Sequence, residues 1–233
     1  MGRFDPKAET PRKKAFSWSY SKLKNFESCP RRHWHYDIAK DIEEDEGEEL
    51  VWGNRVHDAM AKALTGTPLE EDFWAYQKWV DRVACRQDER LYVEQKLALN
   101  LNKSPGQFKG AAWFRGVLDV LKLRDTSVGT VGLLVDWKTG KVVEDSVQLA
   151  LAAALAFAHY PLLKKVRTLF VWLKDGSETP EDFTPDDMDD LWLSLTPRIN
   201  TLEQAHVDQA YYPKPSKLCK KYCGVHYCEY HGK

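Results

Sequence analysis

The chain has 233 residues, 43% of them hydrophobic and 30% charged, and a formal net charge of -1. Length and balance fit one globular domain with a buried core. No stretch approaches the about 20 apolar residues of a membrane-spanning helix, and the start, MGRFDPKAETPRKKAF, lacks the apolar run of a secretory signal. An odd count of five cysteines argues against a disulfide framework and for reduced thiols in a cytoplasmic setting. The near-neutral total hides uneven placement. Residues 1–36 carry nine Lys/Arg against three Asp/Glu, 37–50 carry eight acidic residues and one lysine, and 211–233 carry five lysines and one glutamate. Two basic ends are therefore available to a polyanion.

In chain order, residues 1–16 read as a flexible basic arm, polar and without periodicity. Ser17 or Ser19 then caps a short helix with Leu23 and Phe26 as its apolar points, ending near Cys29 because Pro30 disfavours helix before it. A second helix follows over Arg31–Ile38, and the acidic stretch after it reads as a solvated loop or exposed helix end. Val56, Met60, Ala63 and Leu64 fall at helical spacing over Trp52–Leu64, and Phe73 to Ala84 form another helix. The period then changes to two. Leu91, Val93, Leu97, Leu99 and Leu101 are expected on one strand face, with Tyr92, Glu94 and Lys96 on the other. Strands over Trp113–Leu123 and Val131–Lys138 follow, then an alanine-rich helix over Val147–His159 and a strand over Val166–Leu173. Thr184, Pro185 and two aspartates open a helix reaching toward Ala205. This order predicts an α/β fold with a mixed central sheet flanked by helices.

The chemistry concentrates in GVLDVLKL and LLVDWKTGK. Alternation puts Asp136 and Lys138 on one strand face, and Asp119 sits inside the apolar run Val117–Leu123. A carboxylate there needs a partner or a metal. If the two strands are neighbours, two carboxylates and an ammonium meet at one edge, a setting for Mg²⁺ or Mn²⁺. A cation held there acidifies water and neutralises phosphate, and Lys138 positions or deprotonates that water. A buried Asp–Lys salt bridge with one structural aspartate explains the same spacing. His57, one helical turn after Gly53, is either a ligand or an ordinary residue of an amphipathic helix.

Taken together, the motifs resemble the RecB-type branch of the PD-(D/E)xK nuclease superfamily. The resemblance rests on Gly53-Asn-Arg-Val-His57, Glu94, Gly116-Val-Leu-Asp119, Asp136-Trp-Lys138 and Gln148, in that order, with SWSYSKLKNFESCPRRHWHY as an opening similar to that family's. It implies that His57, Asp119, Asp136 and the Trp137 carbonyl bind the metal, that Lys138 is the catalytic lysine, and that Glu94 supports the site. Glu94 is equally readable as a cross-strand partner of a basic residue. Gln148 would bond the site or the DNA, although Ala152 stands where the family often has a tyrosine.

The resemblance also bears on the tail KLCKKYCGVHYCEYHGK, whose cysteine density points to metal binding. Related nucleases, including the AddB nuclease domain and CRISPR adaptation nucleases, carry one early and three late cysteines around a four-iron cluster. Here Cys29, Cys219, Cys223 and Cys228 would hold a [4Fe-4S] cluster. Their spacing departs from the family's commoner one, so structural zinc, with the three late cysteines and His226 or His231, stays open. Cys85 reads as core.

For nucleic acid, Arg31, Arg32, Lys22, Lys24 and the tail lysines could track phosphates, and Arg115 is an individual candidate near the site. Trp18, Trp34, Tyr36 and Tyr222 either stack on unpaired bases or pack the helical lobe. No base-reading motif is present, so DNA would be bound with little sequence specificity. The reading is a single nuclease domain over 17–233, with 17–50 and 206–233 forming one helical, metal-cluster lobe. Its activity would be exonucleolytic, in recombination, repair or phage DNA metabolism. A structure-specific endonuclease and an inactive DNA-binding subunit are the alternatives, and the resemblance implies a helicase or recombination protein as partner.

Overall fold

The computed structural model describes residues 16–43, 47–143 and 145–233; all but the last residue of the arm assigned to 1–16 lies outside them. Ser19 is extended and its hydroxyl accepts from the Lys22 N–H, opening α1 (Tyr20–Ser28). Cys29 is extended, as the residue before a proline must be, and α2 (Pro30–His33) runs on into a π-helical turn, Trp34–Ala39. The next helix, α3 (Glu48–Leu64), starts four residues before the apolar pattern does. Glu48 and Glu49 occupy its first turn, where the helix dipole favours carboxylates. A 3-10 turn (Glu71–Tyr76) leads into α4 (Gln77–Val83). That helix stops short of Cys85, which is exposed rather than core: the chain turns extended at Ala84, and the Cys85 thiol meets only the backbone oxygens of Arg86 and Glu89.

Beyond α4 come β1 (Glu89–Leu99), β2 (Pro105–Gly106), β3 (Phe114–Thr126) and β4 (Gly129–Lys138), then α5 (Ser146–His159), β5 (Leu163–Trp172), β6 (Ser177–Phe183), α6 (Asp187–Asp208) and α7 (Leu218–Lys221). They form a six-stranded mixed sheet in the order β2-β1-β3-β4-β5-β6. Only β4 and β5 are parallel, and α5 is the crossover such a pair requires. β6 was not expected from sequence. It carries Pro180, tolerated because β6 is an edge strand.

Two apolar layers sandwich the sheet. On one face α5 and α6 meet β1, β3 and β4 through Leu155, Leu195, Leu97, Leu121 and Leu134, joined by Trp18 and Leu23. On the other, Val56 and Met60 of α3 and Val80 of α4 meet Val120, Val135 and Trp137. Gly116 lets α5 sit close: a Cβ there would lie 2.5 Å from Leu155 Cδ1.

The expected alternation along β1 does not hold. Leu91 packs in the α3/α4 layer, Leu97 and Leu99 in the α5/α6 layer, and Leu101 lies beyond the strand, 67% exposed. The inversion falls at Glu94, whose φ of +50° is left-handed. β3 inverts in step: Leu118 faces α5 and Val120 faces α3.

Candidate active site

The inversion marks a row running across three strands. Val93–Val120 and Gln95–Leu118 are paired, and between them Glu94 and Asp119 face one another outside the ladder. The β3–β4 ladder likewise stops at Val120–Val135, one step short of Asp119 and Asp136. Three carboxylates therefore line up where the sheet opens. The Asp119 carboxylate takes over the ladder's role by accepting the Trp137 N–H at 2.9 Å.

α3 reaches this row because Gly53 passes close to the end of β4; a Cβ there would be 3.1 Å from Thr139 Oγ1. One turn later His57 places Nε2 2.9 Å from the Trp137 carbonyl and Nδ1 3.3 Å from Asp119 Oδ2. Both partners only accept, so both ring nitrogens are asked to carry protons. Burial works against the cation, but Asp119, the Asp136 charge and the Trp137 carbonyl outweigh it and raise the His57 pKa. His57, Glu94 and Asp119 offer ligand atoms within 4.8 Å of one another. Two carboxylates and an imidazole suit a divalent cation, with the Trp137 carbonyl alongside.

Asp136 and Lys138 project toward α5. Lys138 Nζ lies 2.8 Å from Asp136 Oδ1 and donates to Gln148 Oε1 at 3.1 Å, while Gln148 Nε2 donates to Asp136 Oδ2 at 2.7 Å. Burial, then the Asp119 charge, raise the Asp136 pKa to about 6 against Lys138 and His57. Burial and Asp119 also raise that of Glu94, opposed by His57 and Lys96. Both acids hold their protons more tightly than a free carboxyl because burial and the neighbouring Asp119 charge disfavour further negative charge, and a bound cation would relieve that. Glu94, expected behind the site, is thus within the converging ligand set, and Asp136 is turned toward Lys138 and Gln148.

Two clefts meet at the Asp136–Lys138 pair. One, of about 700 Å³, is lined by His57, Glu94, Lys96 and Lys138. The other, of about 650 Å³, is lined by Ser19, Lys22, Lys24, Arg115, Asp136 and Gln148. Sequence reasoning overlooked Lys96, detectable as the i+2 neighbour of Glu94, and Asp145. The latter accepts from Tyr20 Oη at 2.5 Å and lies 3.9 Å from Lys24 Nζ, and nothing in its local sequence marks it. The N-terminal segment is fixed beside β3 by Trp18, which exchanges backbone bonds with Trp113 and Arg115. Arg115, a candidate phosphate contact, has N–H groups engaged by the Phe108 and Gly110 carbonyls and by Ser17 Oγ.

Cys29, Cys219, Cys223 and Cys228 line one small cavity with His231. Cys29 Sγ accepts the Lys214 N–H and Cys219 Sγ the Ser216 N–H, both at 3.4 Å. Arg31 reaches Cys228 Sγ at 3.9 Å and pairs with Glu229 at 2.5 Å. Arg32 donates to Asn25 and stacks on Tyr36. Trp18 is fully buried, Trp34 packs on His35, and Tyr222 is exposed.

No helix among the described residues is long and apolar enough to cross a membrane. No curated protein matches the chain significantly. Among solved structures, a "Putative exonuclease" from Eubacterium rectale shares the fold at a TM-score of 0.52 and 12% identity, over 94% of this chain and 91% of that one. A structure of SSO0001 aligns at a TM-score of 0.47 and 12% identity, over 92% and 86%. The family model of the PD-(D/E)XK nuclease superfamily matches residues 17–232. A match over so much of the length leaves one assignment: the chain belongs to the PD-(D/E)XK nuclease superfamily.

Proposed function

We propose that this chain is a Mg²⁺- or Mn²⁺-dependent DNA exonuclease of the RecB/AddB type. The observation that carries the reading is the convergence of His57, Glu94 and Asp119 within 4.8 Å, beside an Asp136–Lys138 pair in a row where the sheet opens. A divalent cation bound there would supply charge neutralisation on the phosphate and acidify the attacking water. His57, Asp119, Asp136 and the Trp137 carbonyl would hold it, with Glu94 closing the set. Lys138 orients the water and stabilises negative charge as the phosphodiester breaks. Gln148 holds Lys138 and Asp136 in register from the first turn of α5. The strand lies along the two clefts, with Lys22, Lys24 and Arg115 on the α5 side and Arg31 and Arg32 on the lobe beyond. Backbone contact of this kind is nearly blind to base sequence.

In the same reading, residues 17–50 and 206–233 form a lobe closed by a [4Fe-4S] cluster on Cys29, Cys219, Cys223 and Cys228. The four side chains border one cavity, and N–H groups point at sulfurs as coordinated thiolates require. Structural zinc on the three late cysteines with His226 or His231 is the alternative, and iron and zinc analysis separates the two. A helicase or recombination protein is the fitting partner, and recombination, repair or phage DNA metabolism the fitting context.

The test is digestion of linear and covalently closed circular DNA with Mg²⁺ or Mn²⁺, by wild type and Lys138→Ala. Loss of linear DNA only, abolished by the substitution and by EDTA, is expected. Cutting of the circle would replace the exonuclease with a structure-specific endonuclease. No cleavage by folded, metal-replete protein would leave a DNA-binding subunit.

A further inference from the structure

One residue lining the cysteine cavity carries a buried polar atom that the four thiolates do not explain. His231 lines that cavity, and its Nδ1 is buried without a hydrogen-bond partner. The ring is held by its surroundings: the His231 N–H donates to the Cys228 carbonyl and the Gly232 N–H to the Cys219 carbonyl, both at 2.9 Å. Nε2 is already engaged, 3.2 Å from His226 Nδ1 with the rings edge to face. A neutral imidazole carries one N–H. When exposed His226 donates to Nε2, the His231 proton sits on Nδ1, a buried donor in need of an acceptor. Three of the four cysteine sulfurs have a donor, from Lys214, Ser216 and Arg31. No such donor reaches Cys223 among the described residues.

We propose that His231 donates a hydrogen bond through Nδ1–H to the sulfur of the cluster held by Cys29, Cys219, Cys223 and Cys228, setting its reduction potential and its resistance to air. The inference rests on the cluster reading above. Four cysteines already fill the cluster's ligand positions, so the imidazole acts from outside as a positioning residue. Hydrogen bonds to sulfur favour the reduced, more negative state and raise the potential. They also withdraw electron density from the sulfur that oxidants attack.

The experiment uses the full chain purified without oxygen. Iron, acid-labile sulfide and zinc are quantified first, and zinc without iron overturns the cluster reading itself. With iron and sulfide present, His231→Phe and His231→Asn are compared with wild type by midpoint potential and by the rate of bleaching in air. His231→Phe should keep its iron, titrate at a more negative potential and bleach several-fold faster. His231→Asn places an amide N–H where Nδ1–H lies and should return both readings toward wild type. Unchanged potential and lifetime in His231→Phe would overturn the role of His231 and leave the cluster standing. Loss of iron from both variants would make His231 a ligand or a fold support, and would equally overturn it.

Discussion

Replacing Asp136 with Asn should separate stability from activity. In the metal-free protein the Asp136 carboxyl is held up at about 6, by burial and then by Asp119, against an ordinary value of 3.8. That difference corresponds to about 3 kcal/mol. Because the folded-state value is the raised one, the contribution to stability is complete below about pH 4 and is lost as pH climbs through about 6. At pH 8 in EDTA the wild type therefore carries the whole penalty. Asp136→Asn removes the charge but sets an amide N–H against Gln148 Nε2, now donating to the carboxylate at 2.7 Å, which costs about 1 kcal/mol. The net expectation is a gain of about 2 kcal/mol at pH 8, or about 4–8 °C in Tm for a chain of this length. Thermal unfolding in EDTA at pH 4.5 and 8 reads it: wild type should lose stability between the two, and the variant should lose less. Mg²⁺ or Mn²⁺ should raise the wild-type Tm and leave the variant's nearly unmoved, and DNA cleavage should vanish. A variant less stable than wild type at pH 8, with the same pH dependence, would refute the claim that Asp136 is kept ionised at a cost which the cation relieves.

Lys138→Ala should lower single-turnover cleavage by about 10²–10⁴-fold, with the far-ultraviolet dichroism unchanged; a loss below tenfold would remove Lys138 from the chemistry. Glu94→Gly should be more stable than Glu94→Ala by about 1 kcal/mol, since only glycine relieves the φ of +50°, and both should bind Mn²⁺ weakly by calorimetry. Equal urea midpoints for the two would show that the backbone there is unstrained. Gly116→Ala should destabilise by about 1–3 kcal/mol, because its methyl would meet Leu155 Cδ1 at 2.5 Å. Chemical denaturation checks it, and a neutral result would mean that α5 shifts freely. Cys29→Ser should reduce bound iron sharply, as read by elemental analysis.

The sequence made the element order legible because its apolar period changes cleanly from helical to alternating at β1. It also marked Asp119, a charge inside an apolar run that needs a reason to be there, and Asp136 with Lys138 by strand alternation, while His57 and Gln148 stood out through the family resemblance. The inversion at Glu94 was hidden, because LYVEQKL reads as ordinary alternation and a left-handed glutamate leaves no compositional trace. That concealed both the row of carboxylates and the place of Glu94 within it. β6 was missed because SETPEDF has neither alternation nor β-branched weight beyond one threonine; an edge strand needs little of either. Arg115 was named as a phosphate contact from its place before Gly116; that its N–H groups also hold the Phe108 and Gly110 carbonyls and Ser17 is visible only in the tertiary structure. Cys85 was misjudged by two residues of helix length.

The ties between the start and the end of the fold have a consequence for how the enzyme is born. Cys29 and Arg31 meet Lys214, Cys228 and Glu229 across 185 to 198 residues of chain. Lys214 Nζ holds the Glu27 carbonyl at 2.6 Å, and the Gly224 N–H meets Tyr36 Oη at 3.0 Å. His57, Glu94, Asp119, Asp136 and Lys138 are all synthesised before the C-terminal partners of these pairs, residues 214–229. Contacts of such separation close late, so the tail's ties to α1 add to those of Trp18 and Tyr20 only once the rest of the chain is made. A nascent chain lacking the last twenty residues would still have α1 held to β3 by Trp18 and to Asp145 by Tyr20, but would lack the tail that ties α1 and the turn after it to the far end of the fold.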